Sequence, residues 1–155
     1  MNQKEIRQKL DGAIQQFMEH DLELLSRDVN ERSITHRLAM FLQDEFAPEW
    51  MVDCEFNRYG FDSKKVLDFY PHGTTTDDTE ARTVFPDIIV HKRGPEGPNL
   101  LVIEAKKSTN NDGGLDVEKL KRYKSSPHLH YEHAVFLVFR TGKDHPGVEV
   151  LQFIE

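Results

Sequence analysis

Two short motifs in this 155-residue chain place side chains that could work on a phosphoryl group. They are Pro86-Asp87 and Glu104-Ala105-Lys106. Each adjoins an apolar run, Ile88-Ile89-Val90 and Leu100-Leu101-Val102-Ile103, of the kind that forms buried strands. Between them lies Gly94-Pro95-Glu96-Gly97-Pro98, a strong turn signal. If the strands pair as an antiparallel hairpin, the point midway between Asp87 and Glu104 falls between Pro95 and Glu96, in the middle of that turn. This register sets the two carboxylates opposite one another. Alternation then places Glu104 and Lys106 on one face and turns Ala105 away. Another acid-x-Lys, Asp62-Ser63-Lys64, sits in a polar stretch with no apolar strand before it.

Two carboxylates at that spacing do not both ionise unaided: one pKa rises or a cation sits between them. A hard divalent ion, Mg²⁺ or Mn²⁺, meets the need with oxygen ligands and retained waters. Such an ion polarises a phosphoryl oxygen and acidifies a bound water. An ammonium beside it, Lys106, orients that water or stabilises charge on phosphate. Glu31 is a fourth candidate, because it precedes Ile34 and Leu38 on an apolar helical stripe and a carboxylate there needs a partner.

Further candidates surround this set. Asp53, Glu55 and Asn57 share one face of an alternating strand, with Glu55 as an auxiliary acid or the face simply solvated. His91 shares a strand, and by alternation a face, with Asp87, as a site partner or a structural histidine. His36 and Arg37 follow Glu31 on its helix and could orient it or touch phosphate. Lys107, Lys119 and Arg122 could track a nucleic-acid backbone, or be surface charge. The run His128, His130 and His133 invites a zinc reading, but no cysteine accompanies it. Cys54, flanked by Val52 and Phe56 in alternation, reads as an inert core thiol.

The elements that would position these groups follow from periodicity. Ile6, Leu10, Ile14 and Phe17 predict a helix over 2–18, followed by the apolar group Leu22, Leu24 and Leu25 and a polar break at 26–30. Ile34, Leu38, Phe41 and Leu42 predict a second helix over 31–46, capped by Asn30 or Ser33 and stopped by Pro48. Strands are expected at 51–58, 85–92, 99–107, 131–140 and 148–154, with a short helix at 115–125. A long polar connection spans 59–84, with a possible short strand at 66–70.

Net charge is −7, which argues against non-specific coating of nucleic acid. The acids concentrate before residue 92, whereas the rest of the chain is near balance, leaving room for a local phosphate-binding face. No stretch has the length and apolarity of a membrane span, the first residues lack a signal-peptide core, and the single cysteine cannot form an internal disulfide. A soluble, cytoplasmic, single-domain chain over 1–155 with no membrane contact is the expectation.

Phe85-Pro86-Asp87-Ile88-Ile89-Val90 followed by Leu100-Leu101-Val102-Ile103-Glu104-Ala105-Lys106 resembles the PD-(D/E)XK nuclease superfamily. Two further segments, 30–39 and 52–58, look like those of small uncharacterised bacterial proteins of this type. The resemblance implies an α/β fold with a restriction-endonuclease-like core, a central mixed β-sheet flanked by helices, over 30–155. An extra N-terminal helix would occupy 1–29. It implies that Asp87, Glu104 and the Ala105 carbonyl bind the metal, that Lys106 assists the attacking water and that Glu31 contributes. DNA would be the substrate, and a homodimer would reach both strands of a duplex. The rival reading is a catalytically silent module that binds nucleic acid or a protein. A weaker one is a zinc hydrolase built on the histidine run.

Overall fold

In the computed structural model, residues 1–56, 85–94, 96–110 and 113–155 are described, together with the backbone of four two-residue strands between 58 and 83. Helix α1 spans Gln3–Ser26 and buries Ile6, Leu10, Ala13 and Phe17 along one stripe. Asn2 caps it in a reciprocal capping box with Glu5. The helix continues beyond the predicted end at residue 18. At Asp21 the backbone departs from helical values (φ −126°, ψ 18°), and the redirected last turn buries Leu25. Arg37 of the next helix donates to Asp21 Oδ2 at 2.8 Å and holds this bend. Helix α2, Glu31–Phe46, has the predicted bounds. Its cap is Asn30, whose Oδ1 accepts from Ser33 N at 2.9 Å.

The strands are β1 (Met51–Cys54), β2 (Arg58–Tyr59), β3 (Asp62–Ser63), β4 (Lys65–Val66), β5 (Arg82–Thr83), β6 (Ile88–His91), β7 (Asn99–Lys107), β8 (His133–Arg140) and β9 (Gly147–Phe153), with α3 (Gly113–Ser125) between β7 and β8. Five of them form a mixed open sheet in the order β1-β6-β7-β8-β9. Its only parallel pair is β7–β8, as a helical crossover requires. β2 pairs with β3 and β4 with β5. The strand predicted at 66–70 meets β4 at Val66, and residues 67–70 lie outside the described residues.

Helices α1 and α2 cover one sheet face, packing on Ile88, Val90, Leu101, Ile103 and Ala105. Helix α3 covers the other, packing on Ile89, Val102, Ala134 and Phe136. Because both faces are covered, the central strands carry the continuous apolar runs Ile88–Val90 and Leu100–Ile103. The chain is therefore α/β, with a mixed sheet between helical layers.

Two sequence expectations fail at β1. The strand stops at Cys54 because Glu55 adopts a positive φ of 49°. That turn sends Phe56 to the α3 side while Val52 packs on the α1–α2 side, so the alternation that grouped them is broken. Cys54, expected in the core, is exposed. The outer edge of β1 is partly closed by the Gln43 amide: Nε2 donates to Trp50 O and Oε1 accepts from Val52 N, both at 2.9 Å. β6 begins at Ile88, not Phe85, which stands 56% exposed. No helix among the described residues is long and apolar enough to cross a membrane.

Leu38 lies fully buried between α1 and the sheet. Leu38→Ala is expected to cost about 2–5 kcal/mol, read as a lowered denaturant midpoint with an unchanged m-value.

Candidate active site

The β6–β7 hairpin has the register expected from the turn. Ile88 lies opposite Ile103, Ile89 opposite Val102 and Val90 opposite Leu101. One step further along the same register brings Asp87 level with Glu104. The irregularity at Val90/His91 lies on the turn side and leaves this end undisturbed. By alternation Asp87, Glu104 and Lys106 share the α3 face with Ile89 and Val102, while Ala105 packs on the α1–α2 side.

Asp87 stands just outside β6, and its side chain takes over the ladder there: Oδ2 accepts from Ala105 N at 2.8 Å. Glu104 is 2% exposed. Its Oε1 accepts from the Tyr123 hydroxyl at 3.2 Å and its Oε2 from Lys119 Nζ at 2.9 Å. Burial raises Asp87 above the usual carboxylate range, against the opposing Ala105 N–H. Burial, then the charge of Asp87, pushes Glu104 up to about 8, with Lys119 opposing. Burial and mutual repulsion therefore both work against ionising the two acids together. Burial also lifts the Tyr123 hydroxyl far above its ordinary value, with Glu104 adding to it, so Tyr123 stays a donor.

A third acid, absent from the sequence reading, joins them. Asp116, in the first turn of α3, is 5% exposed. Its Oδ2 lies 3.2 Å from Lys106 Nζ and its Oδ1 3.5 Å from Lys119 Nζ. Asp116 falls on the helical stripe of Leu120 and Tyr123, so the argument that singled out Glu31 applies to it equally. Burial works against the Lys106 ammonium, but Asp116, Glu31 and Asp87 outweigh it and raise its pKa. Lys106 is thus a charged donor.

Glu31 reaches the end of β7 from the α1–α2 side. Its Oε2 accepts from Lys107 N at 3.0 Å, tying the first turn of α2 to the strand that carries Lys106. The neighbouring Lys107 ammonium pairs with Asp28 at 3.0 Å.

The remaining candidates are dispersed. Lys119 turns inward onto Glu104 and Asp116, whereas Arg122, expected beside it, is exposed. Arg37 is spent on Asp21. His36 is exposed beside a groove that also borders Met40, Gln43, Val52 and Cys54. Glu55 donates its backbone N–H to Asp87 O at 3.2 Å, but its carboxylate pairs at the surface with Arg32. His91 lies four residues along from Asp87, about 13 Å at strand rise, and belongs to a separate cluster. Its Nε2 meets Asp53 Oδ2 at 2.7 Å, Arg93 also binds Asp53, and the His91 ring stands edge-on to Phe56 at 4.8 Å. Asp53 is thus not the solvated strand acid expected. Burial alone would raise its pKa, but the hydrogen bonds from His91 and Arg93 outweigh it and hold the carboxyl well below the usual range. Of the histidine run, His128 and His130 are exposed and His133 meets Met1 O at 2.9 Å. Among the described residues, no group of three or more His, Cys, Asp and Glu side chains comes together as a metal site.

An all-oxygen pair of carboxylates is donor chemistry that suits Mg²⁺, which is seldom caged by protein alone, and suits Zn²⁺ poorly. A cation between Asp87 and Glu104 would relieve their repulsion. Comparison with protein-family models, curated proteins and solved structures finds no match.

Two predictions follow from these charges. Glu104 has its folded-state pKa raised, so the folded form binds more protons. Metal-free stability is therefore expected to fall as pH rises from the ordinary carboxylate range to about 8. Mg²⁺ or Mn²⁺ should raise Tm more at pH 8 than at pH 6, and calorimetry in buffers of different ionisation enthalpy should show proton release on metal binding. Asp53 has the opposite sign, contributing stability that is lost as pH falls below about 4. Asp53→Asn is expected to cost about 1–3 kcal/mol in denaturant unfolding, with the metal isotherm unchanged.

Proposed function

We propose that this protein is a divalent-metal-dependent nuclease of the PD-(D/E)XK type, acting on DNA as an endonuclease. The observation that carries the reading is the carboxyl pair Asp87 and Glu104, brought level by hairpin register, with the Lys106 ammonium two residues along. The mixed sheet with α2 ahead of it and α3 crossing from β7 to β8 supports a restriction-endonuclease-like core.

Asp87 and Glu104 would hold Mg²⁺ or Mn²⁺, with the Ala105 carbonyl as the further ligand that the resemblance implies. The bound ion supplies a polarised phosphoryl oxygen and an acidified water. Lys106 offers a fixed positive charge to the phosphate as negative charge develops there. Tyr123 and Lys119 orient Glu104 by binding one oxygen each. Glu31 anchors the end of β7 through the Lys107 N–H. A single site attacks one phosphate at a time, so cutting both strands of a duplex takes two copies.

One observation favours the silent-module reading: the acids are already answered from within, with the Lys119 ammonium seated on Glu104. Incubation of supercoiled plasmid, single-stranded DNA and RNA with Mg²⁺ or Mn²⁺ separates the two. The nuclease reading expects cleavage that drops about 100-fold or more in Asp87→Ala and in Lys106→Ala. Cleavage that survives both substitutions overturns it. Failure to cut any nucleic acid, with no heat on Mn²⁺ titration, supports the silent module.

A further inference from the structure

Resting on the nuclease reading, we infer that Asp116 is a positioning residue that aims the Lys106 ammonium at the reacting phosphate. Lys106 is on β7 and has four methylene groups between backbone and charge. Nothing in a strand's geometry fixes where such a charge ends up. Asp116 comes from a different element, the first turn of α3, and is itself buried. Its Oδ2 meets Lys106 Nζ at 3.2 Å but has no hydrogen bond of good geometry. Its Oδ1 faces Lys119, which is bound in turn to Glu104. The carboxylate thus sits between the two ammoniums of the site.

A buried acid with an incompletely satisfied oxygen is costly unless it holds something in place. Here it holds the one charged side chain that the proposed chemistry needs. The arrangement also links α3 to catalysis. Tyr123 and Lys119 orient Glu104, and one turn earlier Asp116 orients Lys106. One helix would set both the acid and the amine.

The test pairs Asp116→Asn, which keeps shape and removes charge, with Asp116→Glu, which keeps charge. Two readouts are taken on each. The first is acetylation of Lys106 by an N-hydroxysuccinimide ester, followed by peptide mass spectrometry; it needs no activity. The second is kcat and KM for plasmid cleavage in Mn²⁺, with Mn²⁺ affinity measured by calorimetry. Asp116→Asn is expected to speed Lys106 acetylation roughly fivefold or more. It should lower kcat about 10–100-fold while KM and Mn²⁺ affinity stay within about twofold. Asp116→Glu should recover part of both losses. If Asp116→Asn fails to fold, the same readouts on Asp116→Glu decide, with Lys106 less protected and kcat lower than in the wild type. Unchanged Lys106 reactivity overturns the inference. So does freed Lys106 with unchanged kcat, or a loss that lies wholly in KM or metal affinity. A wild type that cuts nothing, in which Asp116→Asn still frees Lys106, overturns the nuclease reading and leaves the contact itself established.

Discussion

A buried carboxylic acid, Glu104, set beside the half-buried Asp87 constrains the groups around it. Asp87 and Glu104 sit on the sheet face that α3 packs against, where burial weakens the screening of their repulsion. The protein answers with the Ala105 N–H on one, and the Tyr123 hydroxyl and Lys119 ammonium on the other. α3 packs against this face through residues that also serve those acids. Tyr123 belongs to the apolar cluster and donates to Glu104. The packing and the polar network therefore depend on one helix position.

The two faces of the sheet divide the labour. The α1–α2 side is almost wholly apolar, from Ile6 and Phe17 to Ile103 and Ala105. Its one reach toward the site is Glu31, which binds main chain at the end of β7. The α3 side carries the acids and amines among a smaller apolar cluster. A face that must hold charged groups has less area to bury, and the large core on the opposite face supplies the cohesion. The Asp53, His91 and Arg93 cluster does local work of its own, fastening the edge strand β1 to the end of β6.

Comparing sequence expectation with structure separates what is local from what is not. The hairpin register was legible because strand alternation and a Gly/Pro-rich turn leave few ways to align Asp87 with Glu104. The bounds of α2 were legible from Asn30 and the apolar stripe that follows it. β1 was misjudged because one residue, Glu55, takes a left-handed conformation that no pattern of residue types announced. The break at Asp21 bends α1 without ending it, since a contact from Arg37 steadies it across 16 positions of sequence. Arg37 was thereby removed from the site to which its neighbourhood in sequence had assigned it.

The amino-acid sequence alone determined the order of the main helices and central strands, and that Asp87, Glu104 and Lys106 share a face, because period and register are short-range properties. Only the tertiary structure decided which long side chains complete the cluster. It brought Asp116, Lys119 and Tyr123 from α3 onto the acids, left Arg122 in solvent, and gave His91 to Asp53. The physical reason is reach: a lysine or a tyrosine finds its partner across the gap between a helix and a sheet. That gap is set by how the layers pack, and no spacing along the chain encodes it.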